Sequence, residues 1–196
     1  KICYTNPHLV RLSHKQKSLN KVLNDFDIND IDGTGLKIAF RLLDKKVVPR
    51  FNWTDHALTF LSICEKKEWS IFFLGGDQLT ISNMIQKVIQ SFPRLKVAGF
   101  LNGYDELTDD SVSIVNQLSP DILWVGLGSP KQELWVVKNF EKINCNIIQC
   151  VGDIFAYIAG ERLRGPEFLR KFGFEWFFRL VQHPFKYFNR YVIGIP

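Results

Sequence analysis

A regular alternation along the chain limits its fold more than anything else does. Short apolar runs at residues 2–5, 70–74, 96–100, 121–127 and 147–151 are separated by stretches whose apolar residues recur at helical spacing, at 9–23, 36–43, 55–66, 79–92, 111–118 and 131–140. Runs that short are strand-length, and strands that read as almost continuous apolar segments are those covered on both faces. Strand–helix alternation of this kind predicts an α/β domain: a mostly parallel, open, Rossmann-like sheet with helices on both faces. Turn residues follow most of the runs, at Gly75-Gly76, Asn102-Gly103, Gly126 and Gly128, and Gly152. Ligands of open α/β sheets bind at loops in that position. There is no internal repeat and no low-complexity segment.

The alternation stops after Gly160. No strand candidate follows, and Pro166, Gly173, Pro184 and Gly194 divide the remainder into two or three short helical stretches. Residues 161–196 hold seven Lys/Arg against three Asp/Glu, which places +4 of the chain's net +5 in this segment. Ten of its residues are aromatic, with Phe174, Trp176, Phe177 and Phe178 clustered. Cationic heads on an aromatic, helix-capable segment suit an anionic surface with an apolar layer beneath, which describes a membrane interface. The expected organisation is an α/β core over 1–160 and a basic, aromatic, membrane-docking helical appendage over 161–196. The alternative is that the same helices complete the core.

At 196 residues the chain can bury one full core, and 46% hydrophobic with 23% charged residues is ordinary for a globular protein. Cys3, Cys64, Cys145 and Cys150 show neither CxxC nor Cys/His ligand spacing, so a reduced cytosolic setting is expected rather than a disulfide framework or a zinc site. No apolar run approaches bilayer-spanning length and no signal-peptide pattern opens the chain, so any membrane contact is expected to be peripheral. Lys1 leads straight into KICYT without an initiator Met, as a trimmed or cleaved chain would.

Three loops and the tail could carry chemistry. In IDGTG, residues 31–35, Asp32 precedes a helix. An Asp there is most often a helix N-cap, while the functional reading is a general base at the sheet edge, with Gly33 and Gly35 admitting a substrate close to the backbone. In FFLGGDQ, residues 72–78, paired glycines open a helix whose free N–H groups could take a nucleotide diphosphate; Gly75 is the contact, although neither GxGxxG nor GxxxxGK[ST] is present. In LGSPKQELW, residues 127–135, Ser129 and Gln132 have capping-box spacing with Pro130 at the first helical position. A cap does not explain Lys131, a cation at the positive end of a helix dipole, which points to an anionic partner. Arg164, Arg170 and Arg179 supply guanidinium forks that match phosphate oxygens, against the plainer reading of a solvated basic face. His8, His14, His56 and His183 show no metal spacing, and no metal is expected.

The order YTNPHL, IDGTG, VVPRFNWTD, FFLGG, LNGY, LGSPKQELW, CVGDIFAYIAG and RGPEFLRKFGFEWFFRL resembles the WecG/TagA/CpsF family of bacterial glycosyltransferases from Tyr4 to about Pro184. GSPKQE and the arginine-rich tail are the most specific pieces. The resemblance implies an inverting, metal-independent, cofactor-free enzyme on the inner face of the bacterial membrane. It would move a hexose, of the N-acetylmannosamine type, from a UDP-sugar to a sugar on a polyprenyl diphosphate, for teichoic acid or other surface polysaccharide. By that likeness Asp32 matches the general base, Thr5 and Asn6 line its pocket, Gln132 contacts the sugar nucleotide, and Arg50 and Asp55 match a family pair. Arg164, Arg170 and Arg179 match arginines that hold phosphates. The expected partners are the UDP-sugar, the lipid-linked acceptor and an anionic membrane surface. Nucleic acid is not among them, and homo-oligomerisation is left open. The family's usual stretch before the TNP strand is absent. Asp153, Ala156, Asp105 and Gly165 depart from the family pattern, and the first three leave the donor sugar's identity open. Competing readings are a non-enzymatic lipid-phosphate-binding module, which leaves IDGTG and GSPKQE unexplained, and a nucleotide-dependent oxidoreductase, which lacks its glycine fingerprint.

Overall fold

In a computed structural model, residues 1–43, 52–108, 110–166, 168–169, 174–182 and 184–188 are described, with the side chains of 175, 179, 186 and 187 set aside. Six parallel strands form one sheet: β1 (Ile2–Thr5), β2 (Ile28–Ile31), β3 (Ser70–Gly75), β4 (Lys96–Leu101), β5 (Ile122–Gly126) and β6 (Ile147–Cys150), in the spatial order β2-β1-β6-β5-β3-β4. The helices between them are α1 (Pro7–Lys15), α2 (Lys17–Asn24), α3 (Thr34–Leu43), α4 (Trp53–Lys67), α5 (Gln78–Ser91), α6 (Ser111–Leu118), α7 (Lys131–Asn139) and α8 (Ile154–Ala159). The expected α/β architecture is the observed one.

Central strands β3 and β5 explain the layering. Every residue from Ile71 to Leu74 and from Leu123 to Val125 is fully buried, and strand side chains alternate between faces. Ile71, Phe73, Ile122 and Trp124 pack with α4, α5 and α8 on one side of the sheet. Phe72, Leu74, Leu123 and Val125 pack with α1, α2, α6 and α7 on the other. Each Phe or Leu buried in this way contributes about 1.5–3 kcal/mol, so the two middle strands fix the sheet between its helical layers.

Two elements differ from the sequence expectation. The stretch 9–23 is two helices, broken at Gln16, whose backbone is extended (φ −123, ψ 92). Leu9, Leu19 and Leu23 are buried in the same cluster, with Leu12 packed against it, so the break leaves both helices facing one core. Strand β2 was not anticipated because INDI carries no apolar alternation. It is an edge strand whose first two residues are exposed, and only its pairing with β1 (Ile2↔Ile28 through Thr5↔Ile31) makes it a strand.

Beyond α8 the described residues include two further short helices, α9 (Glu175–Gln182) and α10 (Pro184–Phe188). Two bonds tie the end of α8 and the residue Glu161 beyond it to α5: Thr80 Oγ1 donates to Glu161 Oε2 at 2.7 Å, and Lys87 Nζ to the Ala159 carbonyl at 2.6 Å. A third reaches α4, where Arg164 Nη1 meets Asp55 Oδ1 at 2.6 Å. No helix among the described residues is long and apolar enough to cross a membrane.

Candidate active site

The chain leaves β3 through α5 towards β4 and leaves β5 through α7 towards β6, so its path diverges between two adjacent strands. A crevice opens where connections diverge in this way, outside the carboxyl ends of the strands. Two adjoining cavities lie at that edge, of ≈ 280 Å³ and ≈ 190 Å³. They share Gly128, Gly152, Asp153 and Arg162 as common walls.

The larger cavity contains Asp32. Its position follows from the unanticipated edge strand: β2 delivers Asp32 beside the end of β1, where the Asp32 N–H donates to the Thr5 carbonyl at 2.9 Å and prolongs the ladder. Gly33 then turns the chain into α3 at φ +103, a conformation that excludes most side chains. Asp32 stands two residues ahead of the first helical residue, Thr34, and lines the cavity with Asn6, His8, Asn52, Gln132 and Tyr157. Asn6 also caps α1 by accepting from the Leu9 N–H at 3.0 Å, and Asn52 caps α4 through Thr54 at 3.0 Å. Helix caps thus hold two cavity walls in place.

The PKQE turn is built differently from a capping box. α7 starts at Lys131 behind a cis Ser129–Pro130 bond, with Pro130 in the cap position and no side-chain cap. The Ser129 hydroxyl is drawn away from the backbone because a buried carboxyl competes for it, donating to Glu133 Oε1 at 2.8 Å. Gln132 Nε2 donates to the same oxygen at 2.8 Å, and Gln132 Oε1 accepts from the Gly152 N–H at 3.0 Å. Gln132 therefore bridges the loops after β5 and β6 at the cavity floor. Glu133 is fully buried, its Oε2 has no hydrogen-bond partner, and burial raises its pKa despite the hydrogen bonds from Gln132, Ser129 and its own backbone that oppose the shift.

The smaller cavity sits at the divergence itself. Loops after β3, β4 and β5 meet there, with the Gly103 N–H donating to the Gly76 carbonyl at 2.7 Å. Gly75 has φ +137, and a Cβ built on it would lie 2.4 Å from the Gly126 carbonyl oxygen, so only glycine lets the two turns touch. Asp77 caps α5 by accepting from the Thr80 N–H at 2.8 Å, and that cap depresses its pKa. Lys131 lines this cavity, exposed, with Nζ 6.0 Å from the Tyr104 ring centroid. Arg162 enters the wall shared by both cavities, paired with Asp153. Lys131 and the Asp153-paired Arg162 thus line the cavity beside the glycine turns together with the acidic Asp77, Asp153 and Glu161, and the turn N–H groups and Lys131 are the groups there that suit phosphate oxygens. Among the described residues no group of three or more His, Cys, Asp or Glu side chains is placed so that it could hold a metal ion.

The structure thus gathers Asp32, Asn6, Gln132 and Lys131 around one edge of the sheet. Thr5 and Gly33 adjoin Asp32 without lining either cavity, and the Thr5 hydroxyl donates to Asn29 Oδ1 at 2.7 Å. Gly75 forms the neck between turns, while Gly76 does the lining. Arg164 lines neither cavity, and its Nε and Nη2 are buried without a hydrogen-bond partner. Arg50, Arg170 and the Arg179 side chain lie outside the described residues. Sequence reasoning passed over Arg162, Asp153 as its partner, and the buried Asn102. The Asn102 Oδ1 accepts from the N–H groups of Tyr104, Asp105 and Glu106 and shapes the loop carrying Tyr104. An Asn directly before Gly103 was the available signal for such a loop.

An open parallel sheet with a divided crevice at the carboxyl ends of its strands, Asp32 lining one half and Lys131 the other, defines an α/β protein with a ligand site at its topological switch point. The chain belongs to the glycosyl transferase WecG/TagA/CpsF family, whose pattern it matches over residues 1–196, and it is a glycosyltransferase. It is similar to the N-acetylglucosaminyldiphosphoundecaprenol N-acetyl-beta-D-mannosaminyltransferases of Bacillus spizizenii (strain W23) and Bacillus subtilis (strain 168), at 26% identity in both cases, covering 100% of this chain and 75% of each relative. A protein with the same description from Staphylococcus aureus (strain NCTC 8325) is 26% identical over 92% of this chain and 71% of its own length.

Proposed function

We propose that this enzyme transfers a hexose of the N-acetylmannosamine type from a UDP-sugar to the sugar of a polyprenyl-diphosphate-linked acceptor, on the inner face of the cell membrane, in the synthesis of a wall polymer. The relatives' descriptions support that donor sugar and acceptor class. The observation that carries the reading is the adjacency of the two cavities, with Asp32 in one and Lys131 in the other, joined at Arg162.

Displacement at an anomeric carbon requires a base on the incoming hydroxyl and positive potential on the departing diphosphate. In this assignment the acceptor hydroxyl oxygen attacks the anomeric carbon from the Asp32 side and its proton passes to the Asp32 carboxylate. The bond to the UDP oxygen breaks with its electron pair, and the diphosphate is held by Lys131, Arg162 and the turn N–H groups. Attack and departure on opposite faces invert the configuration. Gln132 fixes the loops on either side of the transferred sugar.

A panel of UDP-sugars, offered with a short-chain prenyl-diphosphate–N-acetylglucosamine acceptor and scored for disaccharide product, tests the reading. Transfer is expected from the N-acetylmannosamine donor. Absence of product from every UDP-sugar would overturn it.

A further inference from the structure

One wall of the Asp32 cavity takes no part in the chemistry above. Tyr4 lines it, stacked on Trp53 with ring centroids 6.3 Å apart and planes 21° from parallel. Behind Tyr4 runs a chain of buried polar groups. The Trp124 indole Nε1–H donates to Gln149 Oε1 at 2.9 Å, and Gln149 Nε2 donates to the Tyr4 hydroxyl oxygen. Trp124 and Gln149 are direct neighbours across β5 and β6, 0% and 3% exposed, so neither has water as an alternative partner.

Chemistry fixes the direction of this chain. An indole N–H can only donate, so the amide oxygen of Gln149 must face Trp124. Its NH₂ group then faces Tyr4, and because that group too can only donate, the phenol oxygen must accept. The Tyr4 proton therefore points elsewhere, and among the described residues Tyr4 donates to no protein atom. Burial raises the phenol pKa well above its ordinary value, outweighing the opposing bond from Gln149, so the group remains a donor at every working pH.

We infer that Tyr4 is a substrate-binding residue whose hydroxyl donates a hydrogen bond to an oxygen of the transferred sugar, held between Asp32 and the diphosphate site. The inference rests on the transferase reading of this cavity and adds a specificity contact to it. The sugar oxygen must be an acceptor, such as a hydroxyl or an acetamido carbonyl. Sheet-packed Trp124 and Gln149 hold the donor in place before the ligand arrives, so little ordering remains to be done on binding. A sugar with no acceptor at this point leaves the Tyr4 proton without that bond, and sites built to hydrogen-bond a substrate group discriminate against the analogue lacking it.

The test compares full-length Tyr4→Phe, Gln149→Met and the double variant, each measured for KM, kcat and thermal midpoint with the donor that the wild type uses. Tyr4→Phe is expected to raise the donor KM about 3- to 10-fold. Gln149→Met is expected to lower the thermal midpoint and to raise the donor KM by less than Tyr4→Phe does, because Tyr4 keeps its proton but loses the partner that directs it. The double variant, in which no amide faces an apolar ring, is expected to keep the Tyr4→Phe defect in KM. An unchanged KM in Tyr4→Phe, or KM defects that merely follow lost stability in both single variants, would overturn the inference and leave the transferase reading standing. A wild type that transfers no sugar would remove both.

Discussion

Asp32 meets two demands that pull in different directions, since a base must stay accessible to its substrate while the backbone around it stays fixed. Its N–H is committed to the β1 ladder and the residue lines the cavity, so both demands fall on one position. A positioned base contributes about 10²–10⁴-fold to a rate. Asp32→Asn is therefore expected to lower kcat by roughly that factor while thermal midpoint and UDP binding stay at wild-type values; near-normal turnover would remove Asp32 from the base's role. Glu133 poses the opposite case, a carboxyl held where water does not reach. Its raised pKa means that the folded state binds a proton more tightly than the unfolded chain does. Its stabilising share is then complete below the ordinary glutamate pKa and is lost as pH rises through the folded value. Glu133→Gln keeps the acceptor for Ser129 and Gln132 and cannot ionise. Urea midpoints measured across the weakly acid to neutral range are expected to fall with pH in the wild type and to run flatter in the variant.

At the scale of the elements, turns rather than helices decide where chemistry is possible. The loops after β3 and β5 touch through Gly75 and Gly126, and the cavity beside them exists because no side chain fills that contact. Gly75→Ala would impose a left-handed conformation, costing about 1–2 kcal/mol, and would set a methyl 2.4 Å from a carbonyl oxygen that cannot move without parting β3 from β5. A lower thermal midpoint and weaker UDP binding are expected together, and calorimetry on the purified variant checks both. The β2–α3 junction shows the same rule. A four-residue edge strand without an apolar signature does no more than pair with β1, yet that pairing carries Asp32 to the cavity.

Across the whole molecule, the segment after α8 changes the character of the surface. Phe174, Trp176 and Phe177 are 51%, 41% and 50% exposed, and Phe185 is 96% exposed, on a stretch that holds most of the net charge. Exposed aromatics beside basic residues suit an interfacial layer rather than bulk water. Replacing Trp176 and Phe177 by Ser is expected to reduce co-sedimentation with anionic vesicles and transfer to a long-chain acceptor embedded in them. Transfer to a short-chain acceptor free in solution is expected to be unaffected, and an equal loss with both acceptors would count against docking by these side chains.

The sequence by itself determined the layered architecture, because strands covered on both faces must be apolar and helices covered on one face must be periodic. It also offered the chemical inventory at the loop positions, with Lys131 as a cation that no cap explains and Asp32 and Gln132 as residues for which a helix cap was an equally ready account. Tertiary structure alone decided what those residues do together. Pairing to β1 made INDI a strand, and an extended backbone at Gln16 divides one predicted helical stretch into two. The buried Glu133 diverted Ser129 from a cap, and Asp153 drew Arg162 into the wall shared by the cavities. Each outcome depends on a partner distant in the chain or on competition for one hydrogen bond, and neither leaves a mark in local spacing. The Tyr4 proton is the clearest instance, since its direction is set by Trp124 through Gln149, well over a hundred positions further along the chain.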